Sequence, residues 1–478
     1  MPAINGKEYK NRLKKMNPEI WLNGKRVLDI TVHPAFKGVI ESKAHLYDMQ
    51  HEEEKTDLLT YKSPLTGQKT GTSFLPPASK EDLEKRRLAT QEWAKTNAGL
   101  LGRSPEYMNT TIMALGTASD FFKDGDYPFD KHAKEIYERA REKDLCFTHT
   151  FITPQVNRSV AYFEDSEDVI AAQVVKKTNN GIVIKGARLL ATQGGMTDEL
   201  LVLPAGGNYI AEPYIYAFCI PADTPGLKFI CRESFSYDQS RFNHPLASRF
   251  DELDAIVVFD NVEVPWENVF LFQNYSKAMS MFNEMNFNSH VLHQVLSRQV
   301  VKTEFILGVA QSLAEAISVD DYLHIKHKIS DIILGLESLK ALLLASEYHA
   351  KHDKRGIMVP DIYSLDVSKL MYTKLYPSFI EILQLIGASG LISLPSEADF
   401  QSEISQDLEK YLQSAALPAF ERVKVFRLAW DLSMSAFGTR QTHYERFFFG
   451  DPVRLATSLY NGYDKTPYVQ RVKDFLDI

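Results

Sequence analysis

The chain has 478 residues, longer than one hydrophobic core usually supports, so two or three domains are expected. Hydrophobic residues make up 44% and charged residues 24%, the balance of an ordinary globular protein rather than a disordered one. A net charge of −8 argues against broad electrostatic binding to nucleic acid or an anionic membrane, and leaves room for local basic pockets.

In chain order, Asn23-Gly24 tolerates positive φ and predicts a tight hairpin turn. Three helices follow: one over about 80–96 with Ser79 as cap and Asp82 three residues on, one starting at Ser104-Pro105, and one over roughly 130–143. The texture changes near Leu145. Phe147, His149 and Phe151 alternate with Cys146, Thr148 and Thr150, the period of a strand. Short β-type runs continue at 169–176, 181–190, 200–203, 214–220, 227–231 and 254–259, punctuated by turn signals, and predict a mostly antiparallel sheet or barrel. Past Pro265 the helical period returns over about 275–315, 320–353, 360–388 and 419–438, with Gly387, Gly390 and the prolines at 360, 377 and 395 as breaks. The result is an α+β chain with segregated layers, and its long helices predict a homo-oligomer.

Cys146, Cys219 and Cys231 are too few and too scattered for a disulfide framework and read as reduced thiols of a cytoplasmic protein. The N-terminus lacks the apolar run of a signal peptide. The most apolar stretch, near 329–346, is interrupted by Asp331, Glu337 and Lys340 and reads as a packed helix, not a membrane span.

Nucleotide-binding GxGxxG and P-loop patterns, GxSxG and HExxH are all absent. Three constellations remain. In residues 102–107, Arg103 precedes a helix N-terminus and Tyr107 sits in its first turn; this fits an anion site, or a capped helix with a surface arginine. His149 shares a strand face with Phe147 and Phe151, which fits a hydrogen-bonded core histidine or a neutral base, and Gln155, Val156, Asn157 and Arg158 follow it. The third runs from Phe437 to Arg454, where glycines in an arginine-bearing segment suit a phosphate-containing ligand or tight helix packing. His290 and His293 have a metal-compatible spacing, although a solvated or core pair is the simpler reading.

These three stretches and a fourth occur in a set order: GRSPEY at 102–107, THTFITPQVNR at 148–158, Ala191-Thr192 ahead of TDEL at 197–200, and RQTHYERFFFGDPVR at 440–454. In that order they resemble the 4-hydroxyphenylacetate 3-monooxygenase oxygenase-component family. FDNVEVPWE at 259–267 resembles the wider acyl-CoA dehydrogenase-like superfamily. The resemblance implies an N-terminal helical domain (1–144), a central antiparallel β-barrel (145–271), a C-terminal helical bundle (272–478), and a homotetramer or homodimer. It implies that Arg103, Tyr107 and His149 surround the phenolic hydroxyl, with Pro204 and Ala205 near the substrate tail. Gln155, Val156, Asn157, Arg158 and Thr192 would line FAD, and Gly450, Asp451 and Pro452 would hold its far part.

The implied reaction is ortho-hydroxylation of a para-substituted phenol through a flavin C4a-hydroperoxide, with O2 as co-substrate. With no nicotinamide motif, FADH2 must come from a separate NAD(P)H-flavin reductase. The best substrate expectation is 4-hydroxyphenylacetate, with a chlorophenol as the alternative. Arg103 and Tyr107 suit stabilisation of a phenolate, and His149 suits transfer of its proton. A 4-hydroxybutyryl-CoA dehydratase-like enzyme is the rival reading. Its cluster cysteines would fall at Arg103, Tyr107 and Val300, leaving only His293 as a ligand, and thiolates are what such a cluster needs.

Overall fold

Local signals account for the first elements. Asn5 and Glu8 cap the helix Gly6–Lys15 reciprocally, each side chain taking the other's backbone N–H. Asn23 and Gly24 both have positive φ, 50° and 73°, and turn the antiparallel strands Glu19–Leu22 and Lys25–Val27 back on each other as their sequence predicts. The structure is a computed structural model that describes residues 3–125, 127–154, 169–204, 211–236 and 240–478.

The chain divides into two compact units, Met1–Lys302 with Lys351–Val359, and Thr303–Ala350 with Pro360–Ile478. In the first, the helix Lys80–Thr96 starts where Ser79 accepts the Asp82 N–H, matching the expected bounds. The helix Phe129–Lys143 also lies where the periodicity put it. Between them runs Pro105–Thr117, with every residue from 105 to 116 buried. A helix enclosed on all sides is a core element, and its N-terminal polar groups need partners inside the protein.

Two sheets pack beside these helices. One has six strands in the order Lys25–Val27, Glu19–Leu22, Leu227–Cys231, Asp254–Pro265, Gly181–Thr192, Gln173–Lys177. The other has four, in the order Val269–Phe272, Tyr216–Pro221, Glu199–Val202, Phe147–Thr150. The expected closed antiparallel barrel is corrected here: among the described residues the sheets are open and no ladder joins them. Two pairings are moreover parallel, Glu19–Leu22 with Leu227–Cys231 and Phe147–Thr150 with Glu199–Val202. Alternation along a strand specifies its faces but not its partner, so spacing alone could not decide closure. Side chains tie the sheets together instead. The fully buried Arg188 donates to Phe151 O at 3.0 Å and to Tyr216 Oη at 2.8 Å.

A continuous helix over 275–315 was expected; the chain instead forms Tyr275–Glu284 and Phe287–Ala316, parted where Asn286 takes φ 49°. In the second unit Leu323–Tyr348, Ile362–Gly387, Ala419–Ser433 and Ala436–Phe447 form the main helices. Pro377 does not break its helix as expected, but lies inside Ile362–Gly387. An internal proline costs roughly 3 kcal/mol. The flanking Tyr372, Tyr376, Phe379, Ile380 and Leu383 are buried, and that apolar face offsets the loss. No described helix is long and apolar enough to cross a membrane.

Candidate active site

The buried helix Pro105–Thr117 and the edge strand Phe147–Thr150 bring three expected residues together. The Arg103 guanidinium lies over the Tyr107 ring, 4.4 Å from its centroid. Tyr107 and His149 have ring centroids 5.9 Å apart, and His149 stacks on Phe151 at 5.4 Å with an interplanar angle of 14°. Arg103, Tyr107 and His149 are all buried, while Phe151 is 37% exposed, so the stack runs from the core outward.

Burial sets the electrostatics. Desolvation, then the nearby Arg103 cation, pushes the His149 pKa well below the usual histidine value, so its imidazole is neutral near pH 7. Desolvation raises the Tyr107 pKa against the opposing pull of Arg103 and Arg298, keeping its hydroxyl protonated. His149 Nδ1 and Thr150 Oγ1 are buried with no hydrogen-bond partner among the described residues. Buried polar atoms are usually paired, so these two call for a partner beyond the described residues or a bound molecule.

The entry to the helix differs from the expected capped N-terminus. Ser104 occupies the N-cap position without a side-chain cap bond; its hydroxyl donates to Glu106 Oε1 at 2.5 Å. The amides of Gly102 and Arg103 are not open to an anion either, because Glu252 accepts both at 2.7 Å. Glu106 is itself buried, which pushes its pKa up to about 7 against the favourable effects of Ser104 and Arg298. Neither carboxylate was singled out from sequence. Glu106 lies inside the 102–107 stretch but was given no role there, and Glu252 belongs to no motif and reaches Gly102 across some 150 positions.

Thr192 closes the strand Gly181–Thr192, its hydroxyl donating to Asp254 Oδ1 at 2.8 Å and its carbonyl accepting from Thr148 Oγ1 at 2.6 Å. The second bond ties Thr192 to the strand that carries His149. Pro204 is buried just past Leu203, whose N–H donates to Thr150 O at 3.1 Å, so it too lies beside this strand. Gln155, Val156, Asn157, Arg158 and Ala205 lie outside the described residues. Gly450, Asp451 and Pro452 belong to the second unit, where Asp451 caps the helix Pro452–Gly462 through Val453 and Arg454 N–H. Gly438 is a packing glycine: a Cβ there would meet Leu432 O at 2.4 Å. His290 and His293 are core residues, each 3% exposed, which removes the solvated reading of that pair.

Two family models match, the 4-hydroxyphenylacetate 3-hydroxylase N-terminal model over residues 5–271 and the C-terminal model over 278–477. This chain belongs to the 4-hydroxyphenylacetate 3-hydroxylase family. Among its relatives, a probable 4-hydroxyphenylacetate 3-monooxygenase of Bacillus subtilis (strain 168) is 50% identical, covering 100% of this chain and 99% of the relative. The 4-hydroxyphenylacetate 3-monooxygenase oxygenase component of Geobacillus sp. (strain PA-9) is 49% identical over 100% of this chain and 97% of its own. A crystal structure of such an oxygenase component, complexed with FAD and 4-hydroxyphenylacetate, superposes with a TM-score of 0.94 at 44% identity, covering 99% of this chain and 98% of that one. A 4-hydroxybutyryl-CoA dehydratase from N. maritimus shares the fold, with a TM-score of 0.89 at 20% identity over 100% of this chain and 95% of that one.

Proposed function

We propose that this chain is the oxygenase component of a two-component monooxygenase that converts 4-hydroxyphenylacetate to 3,4-dihydroxyphenylacetate. It takes reduced FAD from a separate NAD(P)H-flavin reductase and consumes O2. The observation that carries the reading is the buried stack of a guanidinium, a phenol ring and a neutral imidazole, with a ring nitrogen that has no partner among the described residues.

Each side chain has work to do in an ortho-hydroxylation. Ring attack on an electrophilic oxygen is faster from a phenolate than from a phenol, so the site has to favour the anion. Arg103 supplies the positive charge and Tyr107 a hydroxyl donor, both in surroundings where water does not screen them. Neutral His149 takes the phenol proton at its open nitrogen and returns a proton when the ring regains aromaticity. Phe147 and Phe151 flank the histidine and limit access of water.

Reduced FAD, when bound, activates O2 so that one oxygen atom enters the ring and the other leaves as water. Gln155, Val156, Asn157, Arg158 and Thr192 are the residues we assign to its ring system, and Gly450, Asp451 and Pro452 to its far part. The unsatisfied Thr150 hydroxyl, on the strand bonded to Thr192, supports a polar-edged ligand there. Pro204 and Ala205 are assigned to the substrate tail.

The domain reading of 1–144, 145–271 and 272–478 remains part of the proposal, within an acyl-CoA dehydrogenase-like fold, with the strands Glu19–Leu22 and Lys25–Val27 of the first segment joining the six-stranded sheet of the second. It is supported by the helix-to-sheet change before Phe147 and the sheet-to-helix change after Phe272. A cytoplasmic homotetramer or homodimer completes the proposal. The test is purified protein given enzymatically reduced FAD, O2 and a panel of phenols that includes 4-hydroxyphenylacetate and a chlorophenol. Formation of 3,4-dihydroxyphenylacetate is expected, and inactivity on the whole panel would end the oxygenase reading.

A further inference from the structure

The run Asp251-Glu252-Leu253-Asp254 carries three carboxylates that the reaction does not use, yet they converge on the site's supports. Glu252, 1% exposed, accepts the Gly102 N–H on Oε2 and the Arg103 N–H and Gln193 Nε2 on Oε1, all at 2.7 Å. Gln193 is fixed in turn. Its side-chain oxygen accepts from the buried Lys43 Nζ at 2.6 Å, and its N–H donates to Leu253 O at 2.8 Å. Its φ of 62° is left-handed, a conformation a non-glycine residue keeps only when its surroundings hold it. Immediately before it is Thr192, bound to Asp254 Oδ1, while Asp254 Oδ2 and Asp251 both bind Arg232.

A buried carboxylate with three N–H donors, linked through one amide to a buried ammonium, is a firm anchor, because charge-assisted bonds are strong where water is excluded. It joins two parts of the site. Both oxygens hold the Gly102–Arg103 backbone, and Oε1 also holds Gln193 in the turn that follows Thr192. We propose that Glu252 is a positioning residue. Through Gln193 it sets the Gly102–Arg103 turn in register with Thr192, so that the guanidinium is aimed before the substrate arrives. The proposal rests on the reading above, in which Arg103 meets the phenol and Thr192 lines the flavin. Small misplacements of such groups are costly, which gives a rigid anchor at this distance a catalytic consequence.

The test compares Glu252→Gln, Glu252→Asp and Arg103→Ala with the wild type, all in the full chain. The glutamine has the same shape but turns an N–H2 toward one of the donors now accepted. In Glu252→Gln, amide hydrogen exchange at 102–103 should rise at least about tenfold, with the strand Glu199–Val202 unchanged. The KM for 4-hydroxyphenylacetate should rise by about tenfold, kcat should fall far less, and FAD affinity should hold within about twofold. Glu252→Asp, which keeps the charge, should recover part of the KM. Unchanged exchange and KM in Glu252→Gln would overturn the proposal, as would equal losses in kcat and FAD binding with KM unmoved. If Glu252→Gln fails to fold, a wild-type KM in Glu252→Asp overturns it as well. Arg103→Ala separates the two claims. A raised KM there beside a wild-type KM in Glu252→Gln removes only the role of Glu252, whereas an unchanged KM in Arg103→Ala removes the phenol-site reading and this proposal with it.

Discussion

Two helices of this chain begin with almost the same words, Gly-Arg-Ser-Pro at 102–105 and Gly-Asp-Pro at 450–452, and they begin in opposite ways. At Pro452–Gly462 the end is exposed and the local rule holds: Asp451 Oδ1 accepts Val453 N–H at 2.9 Å and Arg454 N–H at 3.2 Å. At Pro105–Thr117 the end is buried and the local rule fails. Ser104 turns its hydroxyl to Glu106, and the amides just ahead of the helix are handed to Glu252. A local cap makes a helix end independent of its surroundings. A distant carboxylate fixes that end relative to another part of the protein, which is what a site built from several segments requires.

The sharpest way to break this contrast is to alter the buried end. Arg103→Ala and His149→Ala should each lower the hydroxylation rate by about 10²–10³-fold, with more of the reduced flavin spent on free peroxide. Measured catechol and peroxide yields check this, and fully coupled turnover in both variants would contradict the phenolate site. Ser104→Ala leaves the buried Glu106 carboxylate without its hydroxyl donor and should destabilise the protein by about 1–3 kcal/mol in urea unfolding. Asp451→Ala at the exposed end should cost about 1 kcal/mol, with no change in the KM for the phenol beyond what its proposed flavin contact brings. Equal costs at the two ends would erase the distinction drawn between them.

Burial in the first unit also predicts a pH effect. His290 is buried, and desolvation, with Arg86 and His293 nearby, pushes its pKa down to about 3. Between about 6.5 and 3 the unfolded chain therefore binds a proton that the folded chain does not, so this contribution to stability is lost as pH falls below about 6.5. Taken from pH 7.5 to 5.5, the wild type should lose about 1.4 kcal/mol more than His290→Gln. Parallel losses would mean that His290 takes up its proton in the folded protein over the same pH range as in the unfolded chain. By the same sign, His149 stays neutral well below its ordinary value, so kcat/KM should show no acid limb near pH 6.5 that His149→Ala abolishes.

What was legible in the sequence follows the same division. The Asn23-Gly24 hairpin and the helix Lys80–Thr96 are specified by neighbours a few positions apart, and both lie where the residues predict. The stack of Arg103, Tyr107 and His149 was legible through its motifs. The open sheets were not, because two parallel pairings join strands far apart in sequence, and alternation, which suggested a barrel, carries no record of them. Pro377 misled for a related reason: its helix is held by packing that a local proline rule does not weigh. Glu252 gave no signal at all, since a glutamate between Asp251 and Leu253 looks like any surface acid until Gly102 and Arg103 are seen against it.

The most direct test of the oxygenase claim follows the oxygen atom. Turnover of 4-hydroxyphenylacetate with reduced FAD under ¹⁸O2 in ordinary water should give 3,4-dihydroxyphenylacetate carrying one ¹⁸O in the new hydroxyl. Product whose new hydroxyl carries only ¹⁶O, or no catechol at all, would contradict it.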